Sequence, residues 1–138
     1  MTAKEYLSQA LHIEQRIANK MEQLQSLRSL AEKAVSTILP TPVSQSSTDY
    51  RMEEAIVRIV DMENELGESI TGLLDLKRDI ASQIERLDNP IQQSILEQRY
   101  LCNKSWGEIS GKLGYERHYL IKLHNKSLEK MKLILNST

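Results

Sequence analysis

At 138 residues the chain has room for one ordinary domain or two small ones. Its 40% hydrophobic and 27% charged content excludes a disordered chain, and a net charge of −1 excludes a surface that is basic or acidic throughout. Phe is absent and Gly 5 and Pro 3 are few, while Leu, Ile, Lys, Glu, Gln and Ser abound, so the composition points to an all-α chain and away from strand meanders.

From Ala3 to Ile38 apolar residues recur in alternating steps of three and four. Ala3, Ala10, Ile17, Leu24, Ala31 and Ile38 make one row; Tyr6, Ile13, Leu27 and Ala34 make the other, broken only by Lys20. Such heptads predict a long helix, roughly 55 Å at 1.5 Å per residue, that needs a helical partner. The start, Met1-Thr2-Ala3-Lys4-Glu5, opens straight into this pattern without an apolar leader. No run is apolar enough to span a bilayer, so a cytoplasmic protein that does not meet a membrane is expected.

Pro40 and Pro42 stop the first helix, and residues 40–49 read as a connector rich in turn formers. A second heptad tract follows. Met52, Ile59, Leu66, Leu73, Ile80 and Leu87 form one row, and Ile56, Ile70 and Ile84 alternate with Glu63 and Lys77 on the other. Two tracts of matched length predict a long antiparallel helical hairpin, a coiled coil over residues 1–88. Leu7, Leu11, Met21, Leu30, Val60, Leu74 and Leu76 fall outside the rows, and the expected cover for them is a second hairpin in a homodimer. Gly67 and Gly72 weaken the second helix locally, by up to about 1 kcal/mol each.

At Asn89-Pro90 both period and charge change. Residues 50–89 carry five basic and ten acidic groups, whereas residues 90–138 carry eight and four. A basic end on an acidic body is the asymmetry of a chain whose tail meets nucleic acid. Asn89 can cap a helix with Pro90 at its first position. Ile91, Ile95, Leu96, Tyr100 and Leu101 give that helix its apolar face. Ser105-Trp-Gly-Glu108 is a capping box that opens a short helix, which Gly114 can end in the left-handed conformation. A longer helix then runs from about Glu116 to Leu135, with Leu120, Leu123, Ser127, Leu128, Met131 and Leu135 inward. Residues 89–138 are thus expected to form a helix-turn-helix domain.

The residues Ile95-Leu-Glu-Gln-Arg-Tyr-Leu101, Ser105-Trp-Gly-Glu-Ile-Ser-Gly-Lys-Leu-Gly-Tyr115 and the spacing Leu120, Leu123, Leu128 resemble region 4 of the sigma-70 family over about 45 residues. With its long hairpin the whole chain also resembles small region 4-like regulators of phages and prophages of Gram-positive bacteria. The chain departs from the family at Glu116, where a Ser or Thr cap is usual, and at Ser110 and Ser127, where Ala is usual. Nothing resembles the sigma region that captures the melted −10 strand.

The resemblance implies a sequence-specific transcription regulator that binds double-stranded DNA, with Arg117, His118, Ile121 and Lys122 at base-reading positions. The helical wheel independently turns His118, Lys122 and Asn125 outward, with Ile121 on one flank and Lys126 on the other. Arg and Lys can donate to guanine, and the Ile121 methyls can meet a thymine methyl. Lys104, Ser105 and the amides that open the short helix are placed to hold a phosphate. Because sigma region 4 also contacts RNA polymerase, a non-catalytic adaptor for polymerase or another helical partner is the alternative. The three histidines lack metal-ligand spacing with Cys or acidic residues, and there is no phosphate loop or nucleophile motif. No enzyme activity, metal or cofactor is therefore expected. Cys102 is expected to be a small apolar filler, Trp106 a core anchor, and His124 a structural residue near the inner face.

Overall fold

The computed structural model describes residues 1–37 and 45–137. Every regular element in them is helical: α1 (Ala3–Thr37), α2 (Gln45–Ile84), α3 (Pro90–Leu96) running into a π-helical turn (Glu97–Leu101), α4 (Trp106–Leu113) and α5 (Arg117–Asn136). The fold is all-α, a long antiparallel helical hairpin followed by a helix-turn-helix. No helix among the described residues is long and apolar enough to cross a membrane.

The chain divides into two compact units, Met1–Glu14 with Leu73–Thr138, and Gln15–Gly72. The expected connector 40–49 is shorter than the sequence implied. Residues 38–44 lie outside the described residues, while Gln45–Asp49 already belong to α2. Five of its polar residues thus join the helix, where the apolar tract behind them supplies the cooperativity that a short polar peptide lacks.

In the unit Gln15–Gly72 the hairpin buries one seam. Ile17, Leu24 and Leu66 are buried, and Arg28 of α1 pairs with Glu63 of α2. The other heptad row of α2 differs from expectation, because Ile56 and Ile70 are exposed in the single chain. Two helices meet along one line, so the flank of α2 has no second surface to cover it.

The other unit has a true core. Leu7, Ile80, Ile84, Ile95, Leu96, Ile109, Leu120 and Met131 are all fully buried there. Leu7, which falls outside the heptad rows, is among them. Lys77, the polar break in its row, reaches the Glu14 carboxylate at 3.4 Å and the Leu101 carbonyl at 3.2 Å. An amphipathic side chain at such a position buries its stem and keeps its ammonium bonded.

Side-chain caps set the starts of α1 and α3 in this unit, whereas Glu116 before α5 makes no side-chain cap bond. Thr2 Oγ1 accepts the Glu5 amide at 3.1 Å while the Thr2 amide donates to Glu5 Oε2 at 3.3 Å, a reciprocal capping box for α1. Asn89 Oδ1 accepts the amides of Ile91 and Gln92 at 2.9 and 3.2 Å, with Pro90 opening α3. Gln93 Nε2 donates back to the Leu87 carbonyl at 2.6 Å and so ties α3 to the turn that follows α2.

Candidate nucleic-acid interface

The candidate interface comprises α4, the turn after it, and α5. Ser105 Oγ accepts the Glu108 amide at 3.2 Å and caps α4; its hydroxyl proton goes to Glu108 Oε1, also at 3.2 Å. The cap therefore differs from a reciprocal box, in which Glu108 would reach the Ser105 amide. Gly114 ends α4 at φ 77°, and its amide donates to the Ser110 carbonyl at 2.9 Å. A side chain at that φ is strained, which is why glycine sits there. Ser110, one of the three departures from the pattern the sequence resembles, has a positive use: its hydroxyl donates to the Tyr115 carbonyl at 2.6 Å and braces the turn. Tyr115 and Tyr119 then pack ring against ring, 5.4 Å between centres.

Ile95, Ile109 and Leu120 form the core beneath the turn, with Trp106, Leu113, Tyr115 and Leu123 packed against it. One tripod thus sets the angle between α4 and α5. Beside it lies a polar cluster that periodicity does not reveal. Tyr100 Oη and His124 Nε2 are 2.6 Å apart and buried. Trp106 meets the His124 ring edge-on at 4.9 Å, and the Arg99 guanidinium lies over the Trp106 ring at 5.0 Å. Arg99 also donates to the Lys104 carbonyl at 3.0 Å.

Burial lowers the His124 pKa to about 4, a bond from the imidazole N–H to the Asn125 side chain opposes this, and the neighbouring Lys4 and Arg99 charges add to it. A neutral imidazole at pH 7 can accept the Tyr100 proton, so the cluster is structural. The π-helical turn that carries Arg99 and Tyr100 closes with the Cys102 amide on the Glu97 carbonyl at 3.0 Å. Asn103 follows at φ 53°, a conformation that Asn tolerates better than most residues. Cys102 is exposed at this turn, not the buried apolar filler expected, because the wider turn carries it off the core face.

The predicted contact residues fall into three groups. Arg117, His118, Lys122 and Lys126 are all exposed, and among the described residues no ion pair uses Arg117, Lys122 or Lys126. His118, Lys122 and Lys126 share the open face of α5, with Arg117 at its first turn. Asn125 is exposed as well, while Ile121 is on the flank, and both border α1. Together with Lys4, Ser8 and Leu11 of α1 they line a cleft of about 280 Å³. Ile121 is half-buried there, so α1 limits how far it can reach outward.

The third group is Lys104 and Ser105. The Ser105 hydroxyl is committed to Glu108, and the Lys104 ammonium faces the same carboxylate at 3.7 Å. An anion arriving at this helix start therefore competes with Glu108 for Lys104. Lys130 is drawn aside to Asp88 at 3.7 Å and leaves the open face. Sequence reasoning found the exposed cations and the buried place of His124. It missed Arg99 and the Tyr100 partnership, because residues 24 apart in the chain carry no periodic signal of their contact.

Among the described residues no group of three or more His, Cys, Asp or Glu side chains is placed to hold a metal ion. Comparison of the chain with protein-family models, curated proteins and solved structures finds no match.

Proposed function

We propose that the protein is a sequence-specific, non-catalytic DNA-binding transcription regulator of the phage type, working as a homodimer. The observation that carries this reading is the open face of α5. His118 and Lys122 stand exposed there with Lys126 at its edge, Arg117 is exposed on the other side of the first turn, and no acidic residue lies in the sequence between Arg117 and Lys126. A helix bearing free cations, held at a fixed angle by a short capped helix and a glycine turn, has the form that enters a major groove. In this reading Arg117, His118 and Lys122 meet base edges and Lys126 meets phosphate. Lys104 leaves Glu108 for a backbone phosphate beside the start of α4. The resemblance to sigma region 4 supports the same assignment, and Ile121 contributes from the side of the groove.

Selection of bound duplexes from a random pool, followed by binding at two salt concentrations, tests the proposal. A recovered consensus, with affinity falling steeply as salt rises, is the expected result. A second reading has one observation in its favour. Leu133 on α5 and Tyr119 at the turn are exposed, 71% and 48%, as on an adaptor that docks on RNA polymerase. The pool distinguishes the two, because an adaptor recovers no consensus.

A further inference from the structure

Along α2, Ile56, Val60, Glu63, Gly67 and Ile70 fall on one stripe, and the helical register continues it to Leu74. The apolar members are 53%, 46%, 40% and 59% exposed for Ile56, Val60, Ile70 and Leu74. The stripe is about 27 Å long at 1.5 Å per residue. It lies on the flank of α2, beside the row that packs on α1; Glu63 pairs with Arg28 of α1, and nothing in the single chain covers the apolar members. Gly67 is equally unexplained. It weakens the helix relative to Ala, yet a Cβ there would meet nothing within 4 Å.

The order of the residues shows what fits. The spacing of four, three, four, three, four reads the same in both directions about Glu65. In an antiparallel pair each layer joins a residue of one heptad row to a residue of the other. Ile56 then meets Leu74 of a second copy, Val60 meets Ile70, and Glu63 meets Gly67. Glu63 is the one charged residue in the stripe, and its stem lies over the one position without a side chain. A parallel pair would instead set Glu63 against Glu63 and leave a gap between two glycines.

The next layer outward joins Glu53 to Lys77, which are opposite in charge. The Lys77 ammonium has three donors, of which Glu14 and the Leu101 carbonyl take two. We infer that two copies of this chain associate through this face of α2, antiparallel, about a two-fold axis beside Glu65. Such a contact is isologous: one patch serves both copies.

This inference takes up the homodimer of the proposed function and gives it a surface, but the contact itself needs no DNA. The test uses the full chain without DNA. Sedimentation equilibrium at micromolar concentration is expected to give twice the 15.9 kDa chain mass. Val60→Asp and Ile70→Asp place a charge in the pair and are expected to weaken association by at least about a hundredfold. Both positions are exposed in the single chain, so circular dichroism should show unchanged helix content.

Orientation is read in a Cys102→Ser background under mild oxidation. Val60→Cys mixed with Ile70→Cys is expected to give a disulfide-linked dimer, while neither variant alone does so. A monomeric wild type, dimers that survive both Asp variants, cross-linking of either Cys variant alone, or no cross-link in the mixture each overturns the inference. Failure of the DNA reading shows separately, as a dimer that recovers no consensus from the random pool.

Discussion

The two compact units use the same kind of helix to different effect. In Met1–Glu14 with Leu73–Thr138, five helices and a π-helical turn converge, and eight large apolar side chains are fully buried. In Gln15–Gly72 only two helices meet. Ile17, Leu24 and Leu66 are buried, while Met21, Leu30, Ile56, Val57, Val60 and Ile70 remain exposed. A heptad row guarantees a seam and no more; a core needs a third surface. The helix-turn-helix therefore lies within the better-packed unit, where α5 is held at a fixed angle to α4. The less-packed unit carries most of the exposed apolar stripe of α2.

Leucine truncation is the most severe way to break this contrast. Leu120→Ala removes the centre of the core beneath the turn and is expected to cost about 2–5 kcal/mol. Leu66→Ala in the hairpin seam is expected near the bottom of that range, about 2 kcal/mol, because its surroundings can collapse. Urea denaturation of the two full-length variants measures both. Equal losses would mean that the two units are packed alike.

Acid attacks the better-packed unit selectively. Burial holds His124 at about 4 against the ordinary 6.5, so as pH falls the unfolded chain takes up a proton first. The neutral imidazole leaves stability full above pH 6.5. That stability is lost progressively as pH falls toward 4, by up to about 3 kcal/mol. Denaturation curves at pH 7 and 4.5 should show this loss in the wild type and a smaller one in a Tyr100→Phe/His124→Leu chain, which has no imidazole to protonate. Parallel losses in the two proteins would remove His124 from the account.

Substitutions on the open face of α5 separate function from packing. Arg117→Ala and Lys122→Ala are expected to leave folding unchanged and to weaken specific DNA binding by about 1–3 kcal/mol each. Lys104→Ala should lower affinity for every sequence alike and make the salt dependence shallower by about one unit of slope. Titrations at two salt concentrations, with circular dichroism on each variant, read all three. Folded Arg117 and Lys122 variants that bind every duplex as the wild type does would shift the reading to the adaptor.

The smallest expected effect is a gain. Gly72 lies inside α2, and a Cβ there meets nothing within 4 Å. Gly72→Ala is expected to add about 0.5–1 kcal/mol of stability in the same urea experiment. A loss instead would show that something approaches this position closely.

The fold class was legible from the sequence because its determinants are local or periodic. Heptad spacing marked α1 and α2. Asn89-Pro90, Ser105 with Glu108, and Gly114 marked the boundaries of α3 and α4, since caps and turns act within a few residues. The exposure of His118, Lys122 and Asn125 followed from the wheel once Leu120 and Met131 were taken as inward. Three matters needed the tertiary structure. Met1–Glu14 belongs with the C-terminal elements, although the charge and period change at Asn89-Pro90. Ile121 and Asn125 share a cleft with α1, and Arg99, Tyr100, Trp106 and His124 form one cluster. Each joins residues far apart in the chain, and a helical period specifies which side of a helix is apolar but not which distant segment covers it.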